Sequence, residues 1–534
     1  MSLNGIMNTA IGALHVNQTA LKTVSNNISN INTEGYNRRI VQQSPGLTGG
    51  NVQGVAIAEI RRITDSFLTR EAYVSSAQAS ASSAEYQLRD RAASILGKLD
   101  GGASLTNRMS DIAASLGQLA VEPASSARRV TTVSDIQASL NAISSMASQI
   151  QGLRQDANTQ LEEDIRRANN LLTQIADLNT AAKTAIAQGD PSTGLLDQRE
   201  KALSDLSELM DIQTFEQPDG RMFVSLTDGT QLVGDMKTQL NYQSPGAVTS
   251  TTSFPTIQLQ RVNHNTGENV GQPVPLEGRL QGGSMRGVID MRDKVLPDLA
   301  EQLGAAAGAL TDGLNAIHND ATSFPAPNSL TGTNTGVLGT DTLNFSGQTT
   351  LAVTNYEGRL VRSVAINFDA GTLSVNGGAA TPFSSTAAGF VADLNAALGG
   401  DATFTLNNGV LSAQAAPQGG LSFRESETNP SDRGGRSFSH FFGLNDLVRG
   451  SAPANVATGL TAADPHGFTS GGTMSFTLRA PAGQILQQGS YTVSGSSMND
   501  LIAGLNTAAN GAATFSLAAD GSIAMSSASG ARLE

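Results

Sequence analysis

The chain has 534 residues, enough for roughly three or four domains at about 150 residues each. Its 33 Lys and Arg against 46 Asp and Glu leave a net charge of −13, which argues against a protein whose job is gripping nucleic acid, since that needs a basic face. Without cysteine there is no disulfide, thiolate metal site, iron–sulfur cluster or cysteine nucleophile. Without Trp, and with 4% aromatics, the core must be built from small residues, which favours elongated modules.

No run reaches the ~18 consecutive apolar residues of a membrane span. The opening Met1-Ser2-Leu3-Asn4-Gly5 has neither a basic leader nor an apolar block. That pattern predicts a chain without a cleaved signal, either cytoplasmic or exported by another route. Leu3, Met7, Ala10, Leu14, Asn17, Leu21, Val24, Ile28 and Ile31 then follow one another at alternating spacings of 4 and 3. This is a heptad seam with one polar exception, on an otherwise Asn-, Thr-, Gln- and Ser-rich helix. The helix has nothing of its own in sequence to bury that stripe against. We therefore expect a partner helix, with the terminus mobile in an isolated monomer. The helix stops in Asn30-Ile31-Asn32-Thr33-Glu34-Gly35-Tyr36.

Residues 37–63 read as a short hairpin with a turn at Gly49-Gly50. Helices are predicted from Asp65 to Leu99, closed by Gly101-Gly102, and from Leu105 to Leu119. Pro123 is placed for a first helical turn. Apolar residues at 3–4 spacing then run on to Ile175, with a stutter at Ala157, Leu161 and Ile165. A helix from Ala124 to Ala187 would be about 96 Å long at 1.5 Å per residue, a rod element. Gly189-Asp190-Pro191 breaks it, and Leu195 to Met210 forms a short helix. Strands are predicted at 212–215, 222–226, 231–233 and 256–262, and helix returns from Ser284 to His318 with an interruption at Pro297.

Beyond Pro325 the chain loses Lys and becomes β-rich, with an internal repeat. Leu394-Asn395 is echoed by Leu505-Asn506 and Phe404 by Phe515, both 111 positions on. Each copy reads as strands, a short helix (about Thr386–Leu398 and Met498–Ala508) and a hairpin. The second copy stops at Glu534 where the first begins another strand, which suggests a C-terminally truncated sequence. The fold class is thus multidomain α and α+β: an elongated, coiled-coil-like helical rod with a small β insertion, then β-rich tandem α+β modules. The expected domains are 1–64 (assembly helix and Asn-rich loop), 65–320 (rod, with β insertion at about 212–282), 340–450 (first outer module) and 451–534 (second, truncated).

No Walker loop, dinucleotide fingerprint, zincin motif or EF-hand occurs. The five histidines are scattered, and His318 reads as a helix-end or core-edge residue. Asp290 and Asp293 near Arg286 and Arg292 read as a solvated ion network, and Glu162-Glu163-Asp164 as a run facing water. No catalytic, cofactor-binding or metal-binding residue is assigned, and an enzyme is not expected.

The stretch from Ser25 to Tyr36 resembles the signature of the bacterial flagellar rod, hook and hook-associated proteins. The motif residues are Asn26, Asn27, Asn30, Asn32, Thr33, Gly35 and Tyr36. Leu195-Leu196-Asp197-Gln198-Arg199, the run from Asp219-Gly220 to Gly234, and Leu314-Asn315-Ala316-Ile317-His318-Asn319 narrow the resemblance to the hook-associated protein 1 (FlgK) family. It covers residues 1 to about 320. The resemblance implies a secreted structural component at the hook–filament junction, exported by the flagellar type III apparatus without a cleaved signal. It implies partners in a ring of identical subunits, the hook protein, a second, filament-side hook-associated protein and the export apparatus. It implies no cofactor, nucleic acid or membrane span. The expected assembly interface is Leu3, Met7, Ala10, Leu14, Leu21, Val24, Ile28 and Ile31. The alternatives are a hook or rod protein of the same superfamily, a stalked surface adhesin, and a coiled-coil scaffold without a flagellar role.

Overall fold

The computed structural model describes residues 3–33, 35–48, 51–97, 104–188, 192–250, 252, 254–323, 325–450, 459–479, 485–519, 521–527 and 531–533, without the side chains of 3–5, 47–48, 51–53 and 532. The Leu3 side chain, the turns at Gly49-Gly50, Gly101-Gly102 and Gly189-Asp190-Pro191, and Glu534 lie outside the described residues. The chain forms two compact units, one of residues 1–301 and one of residues 302–481 and 485–534.

In the first unit, helix α1 (Leu3–Ser29) precedes an antiparallel ribbon of β1 (Arg39–Thr48) and β2 (Asn51–Arg62). Its register sets Arg39 opposite Arg62. Asp65 caps α2 (Ser66–Leu96) by accepting the Phe67 and Leu68 N–H groups, and Ser104 caps α3 (Leu105–Val121). Helix α4 (Ser126–Gln188) runs 63 residues. Pro123 does not enter it; Pro123 lies in a turn closed by Ser125 N–H on the Glu122 carbonyl, so the helix starts three residues later than Pro chemistry suggested. The long helix buries Ile136, Ile143, Ile150, Leu153, Ala157, Leu161, Ile165, Ala168, Leu172 and Ile175. The stutter lies inside this buried stripe, because α2, α3, α5 (Thr193–Leu209) and α6 (Ser284–Asp290) take turns covering α4 along its length.

A six-stranded antiparallel sheet follows in sequential order: β3 (Ile212–Glu216), β4 (Met222–Leu226), β5 (Gln231–Val233), β6 (Lys237–Asn241), β7 (Gln258–Val262) and β8 (Asn269–Pro275). Two of these strands escape sequence reading. Strand β6 buries only Thr238 and Leu240 of five residues. Edge strand β8 carries a Gly and two Pro, which mark loops unless one edge needs no donors. After α6, a π-helical turn, Met291–Val295, leads into α7 (Leu296–Asn319). Pro297 sits in the first turn of α7, where its missing N–H has no intrahelical partner to lose. The interruption is the π turn ahead of it. Helix α7 begins in the first unit and its later turns belong to the second.

The second unit starts with β9 (Ser329–Asn334), β10 (Gln348–Thr354), β11 (Leu360–Asn367), β12 (Thr372–Val375) and β13 (Ala380–Pro382). Then come α8 (Ala387–Leu398), β14 (Ala402–Asn407), β15 (Val410–Ala415), β16 (Gly420–Glu425) and α9 (Phe438–Phe442). A sheet ordered β13-β12-β11-β10-β16 and another ordered β14-β15-β9 enclose a core crowded with phenylalanine. Phe438 stands 5.2–5.8 Å, centroid to centroid, from Phe345, Phe368, Phe390, Phe423 and Phe442. Nine of the chain's 17 phenylalanines lie in or against this core.

The remaining elements are β17 (Thr473–Arg479), β18 (Ile485–Thr492), α10 (Met498–Ala509), β19 (Thr514–Leu517), β20 (Ile523–Ser526) and β21 (Arg532–Leu533), with a core of their own. The repeat is structural in detail. Thr386 and Ser497 cap α8 and α10, and Gly399 and Asn510 end them in the left-handed conformation. Asn395 clamps the backbone of Phe404, donating to its carbonyl at 2.9 Å and accepting from its N–H at 2.7 Å. Asn506 makes the same two bonds to Phe515 at the same distances.

Candidate assembly interface

Helix α1 is amphipathic in an inverted sense. Its small and polar face lies on the β1–β2 ribbon, burying Val16 and Thr23, and a Cβ at Gly12 would meet the Val55 carbonyl oxygen at 3.3 Å. The heptad seam faces away. Met7, Leu14, Val24 and Ile28 are more than half exposed, Leu21 is 71% and Ile31 79% exposed, and Ala10 is exposed too. Ile6 and Ile11, outside the heptad pattern, widen the apolar strip. Among the described residues the seam has no cover, while the ribbon takes the face opposite it.

The Asn-rich exit is a hydrogen-bonded hub. Asn27 donates to the Arg39 carbonyl at 2.8 Å and accepts from the Arg39 N–H and the Tyr36 hydroxyl, both at 2.9 Å. Asn30 donates to the Asn26 carbonyl and accepts from Thr33, while Asn32 is exposed. Gly35 has φ +79°, and a Cβ there would meet the Lys201 Cβ at 3.0 Å, so Gly permits both the turn and the close approach to α5.

The ribbon is clasped to α5 by charge. Arg39 reaches Asp197 at 2.5 Å, Arg62 reaches Asp197 at 2.8 Å and also Glu200, and Asn37 donates to Glu200 at 2.9 Å. The two carboxylates offset the two guanidiniums, and all four are mostly shielded from water. The Arg39 guanidinium also lies over the Tyr36 ring, 4.9 Å from its centroid. Beside them Tyr73 of α2 is buried, and desolvation, aided by Glu200, pushes its hydroxyl above the usual tyrosine range. Asp197 belongs to the Leu195–Arg199 motif, so two separated motifs meet in one place. The signal in sequence was the pair of arginines at matching ends of the ribbon, Arg39 and Arg62.

Arg199 of that motif points the other way, into the core. It donates to Asn179 at 3.0 Å, to the Gly220 carbonyl at 2.6 Å and to Glu216 at 3.1 Å. Asn179 in turn brackets Met222, donating to its carbonyl and accepting from its N–H. The third motif holds the first module of the second unit. Asn315 brackets Val448, Asn319 accepts from Ser439 and the Asn445 N–H, and the His318 Nδ1 is 2.5 Å from the Asn445 carbonyl oxygen.

Two readings of charge need correction. Arg286 and Asp290 do pair, but Arg292 is buried and not part of a solvated network. It bonds Asp293, Asn158 and Tyr242 and lies 4.0 Å from the Phe254 ring centroid. Asp164 does not simply face water. It accepts from Ser284, and burial holds its carboxyl above the ordinary aspartate range.

Among the described residues no group of three or more His, Asp or Glu is placed to hold a metal ion, and no helix is long and apolar enough to cross a membrane. An open groove of ≈ 640 Å³ between α2 and the β3–β5 hairpins is lined by Arg70, Phe215, Phe223, Ser225 and Gln231 among others, without a nucleophile–base pair. What the geometry brings together is an outward apolar strip, a capped Asn hub and an ion clasp.

Residues 7–37 match the family of flagella basal body rod proteins. Residues 91–330 match the helical domain of flagellar hook-associated protein FlgK. Flagellar hook-associated protein 1 of Escherichia coli is 26% identical over 326 residues, 59% of this chain and 57% of that protein. The Salmonella typhimurium protein is 27% identical over the same shares. The Bacillus subtilis protein is 24% identical over 362 residues, 64% of this chain and 70% of its own length. A solved structure of the flagellar hook junction protein FlgK from Burkholderia pseudomallei covers 80% of this chain and 79% of its own, with TM-score 0.42 and 18% identity. Residues 91–330 thus carry the helical domain of the FlgK family, and the chain is similar to flagellar hook-associated proteins beyond that domain. Its match spans less than two thirds of the enteric relatives' length. The family places it in the flagellum and points to a non-enzymatic role.

Proposed function

We propose that this protein joins hook to filament by self-assembling into a ring through the α1 seam, acting as an adaptor without chemistry. The observation that carries the reading is the exposed strip of Leu14, Leu21, Val24 and Ile28 on a helix whose other face is already docked. Burying one such side chain is worth ~1.5–3 kcal/mol, so a neighbour's helix gains several kcal/mol that a monomer in water forgoes. The ribbon and its clasp to α5 would orient the strip, so that assembly orders α1 further without creating it. The Asn hub would cap the strip at Ile31. Neighbours would be identical subunits within the ring, hook protein on one side and a filament-side hook-associated protein on the other. The chain would reach that place through the flagellar export apparatus.

A strain lacking the gene should build hooks but shed filament subunits into the medium, and wild-type protein should restore filaments. Leu21→Asp and Ile28→Asp should be exported yet fail to restore them. Normal filaments on the deletion strain, or with the double variant, would overturn the proposal.

A further inference from the structure

The two modules of the second unit differ at one sheet edge. Strands β17 and β18 repeat the register of β10 and β11: Leu351 lies opposite Val364, and Phe476 opposite Gly489, each 125 positions on. The bulge after Val353 recurs after Leu478. On the other flank β21 pairs β17 as β16 pairs β10. Between the hairpin and the helix the offset falls from 125 to 111, because Ser497 follows Thr386 by 111. The first module therefore holds 14 residues, 369–382, without a counterpart in the second. They fold as β12 and β13, and β12 pairs the outer side of β11, Thr372 opposite Asn367 and Val375 opposite Val364. In the second module, among the described residues, β18 ends its sheet.

An open edge presents unpaired N–H and C=O groups, and natural proteins blunt such edges with charge, proline or a covering segment. The outermost strand of the first module, β13, ends in Pro382. Strand β18 reads Ile-Leu-Gln-Gln-Gly-Ser-Tyr-Thr, with no charge and no proline. It also leaves Ile485 and Leu486 44% and 43% exposed. We infer that the outer edge of β18 docks an extended, uncharged segment donated by another polypeptide, which pairs antiparallel as β12 pairs β11. The sister module defines the chemistry of the occupant: Thr-Leu-Ser-Val, hydroxyl and aliphatic side chains in alternation. Main-chain hydrogen bonds supply affinity, and the exposed aliphatic pair supplies a contact for the donor's apolar face.

The test uses the full chain and a synthetic peptide of residues 370–382 as the probe, read by hydrogen exchange. Saturating peptide should slow exchange in residues 485–492 by about tenfold or more and leave α10 unchanged. A donated strand bonds through one edge only, so alternate backbone N–H groups matter. Peptides N-methylated at residues 372 and 374, or at 373 and 375, should therefore behave oppositely: one set abolishes protection and the other keeps it. Equal behaviour of the two sets, or no protection at saturation, overturns the inference. So does full protection of β18 in the peptide-free monomer. A peptide-independent, concentration-dependent dimer that protects the same amides would assign the edge to a second copy and overturn the donated strand.

Discussion

Along α4 the residues at 3–4 spacing, Ile143, Ile150, Leu161 and Leu172, are buried, whereas along α1 the residues at the same spacing, Leu14, Leu21 and Ile28, are exposed. Both helices are long, both are rich in Asn, Gln, Ser and Thr between the apolar positions, and both carry the periodicity that marks a seam. The difference lies in what surrounds them. Helix α4 is covered in turn by α2, α3, α5, α6 and the sheet through β6; α1 packs chiefly on the β1–β2 ribbon, which takes the face opposite the seam. A heptad stripe therefore reports that an apolar face exists, and not whether its cover lies within the chain.

The comparison breaks first at α4. Leu161→Asp places an unpaired carboxylate at a fully buried position, and should cost more than about 4 kcal/mol, enough to abolish cooperative unfolding of the first unit. Calorimetry showing an unchanged transition would mean that the α4 seam is not what holds the unit. Next comes Arg199→Ala, which leaves the Gly220 carbonyl without its donor and removes one of the bonds to Asn179; a loss of about 2–3 kcal/mol is expected in urea titrations. Val16→Asp tests the docked face of α1, with an expected cost of about 2 kcal/mol. Its readout is faster exchange in α1 and β2, with α8 and α10 unaffected.

Glu277 sharpens the comparison by pH. It is buried behind β7, accepting the Ile257 N–H, and burial holds its carboxyl above the ordinary glutamate range. The folded state then binds that proton more tightly than the unfolded chain. Stability is present at low pH and is lost as pH rises through the raised value. Glu277→Gln keeps an acceptor and removes the titration, so its stability relative to wild type should improve steadily from acid to neutral pH. A constant difference across that range would refute the assignment. The smallest effect belongs to Leu21→Asp, which should shift monomer stability by no more than about 0.5 kcal/mol. A large loss of melting temperature would mean that the α1 seam has a cover within its own chain.

Much of this was readable from local chemistry. The starts of α2 and α3 follow from their caps, Asp65 and Ser104, and the 111-residue echo of Leu394-Asn395 and Phe404 marked the repeat, while the Asn clamp inside it came only with the structure. Strands β6 and β8 were not readable, since each shows its neighbours a pattern that polar alternation and proline disguise. Nor was the buried place of Arg292, whose partners Asn158, Tyr242 and Phe254 lie far apart in sequence. The motif containing Asp197 was visible as a resemblance, but its pairing with Arg39 and Arg62 was not, because 158 and 135 positions separate the groups.

The sequence by itself determined the long helices and the β1–β2 ribbon, which face of each helix is apolar, and that the second unit repeats. These are consequences of short-range geometry: 3.6 residues per helical turn, two per strand, and caps within four residues. Only the tertiary structure decided that, among the described residues, α4 is covered and the α1 seam is not, that Asp197 and Glu200 clasp the ribbon, and that β11 has a covering strand where β18 has none. Those outcomes depend on surfaces brought together over tens to hundreds of residues, and local propensity carries no information about which surface arrives.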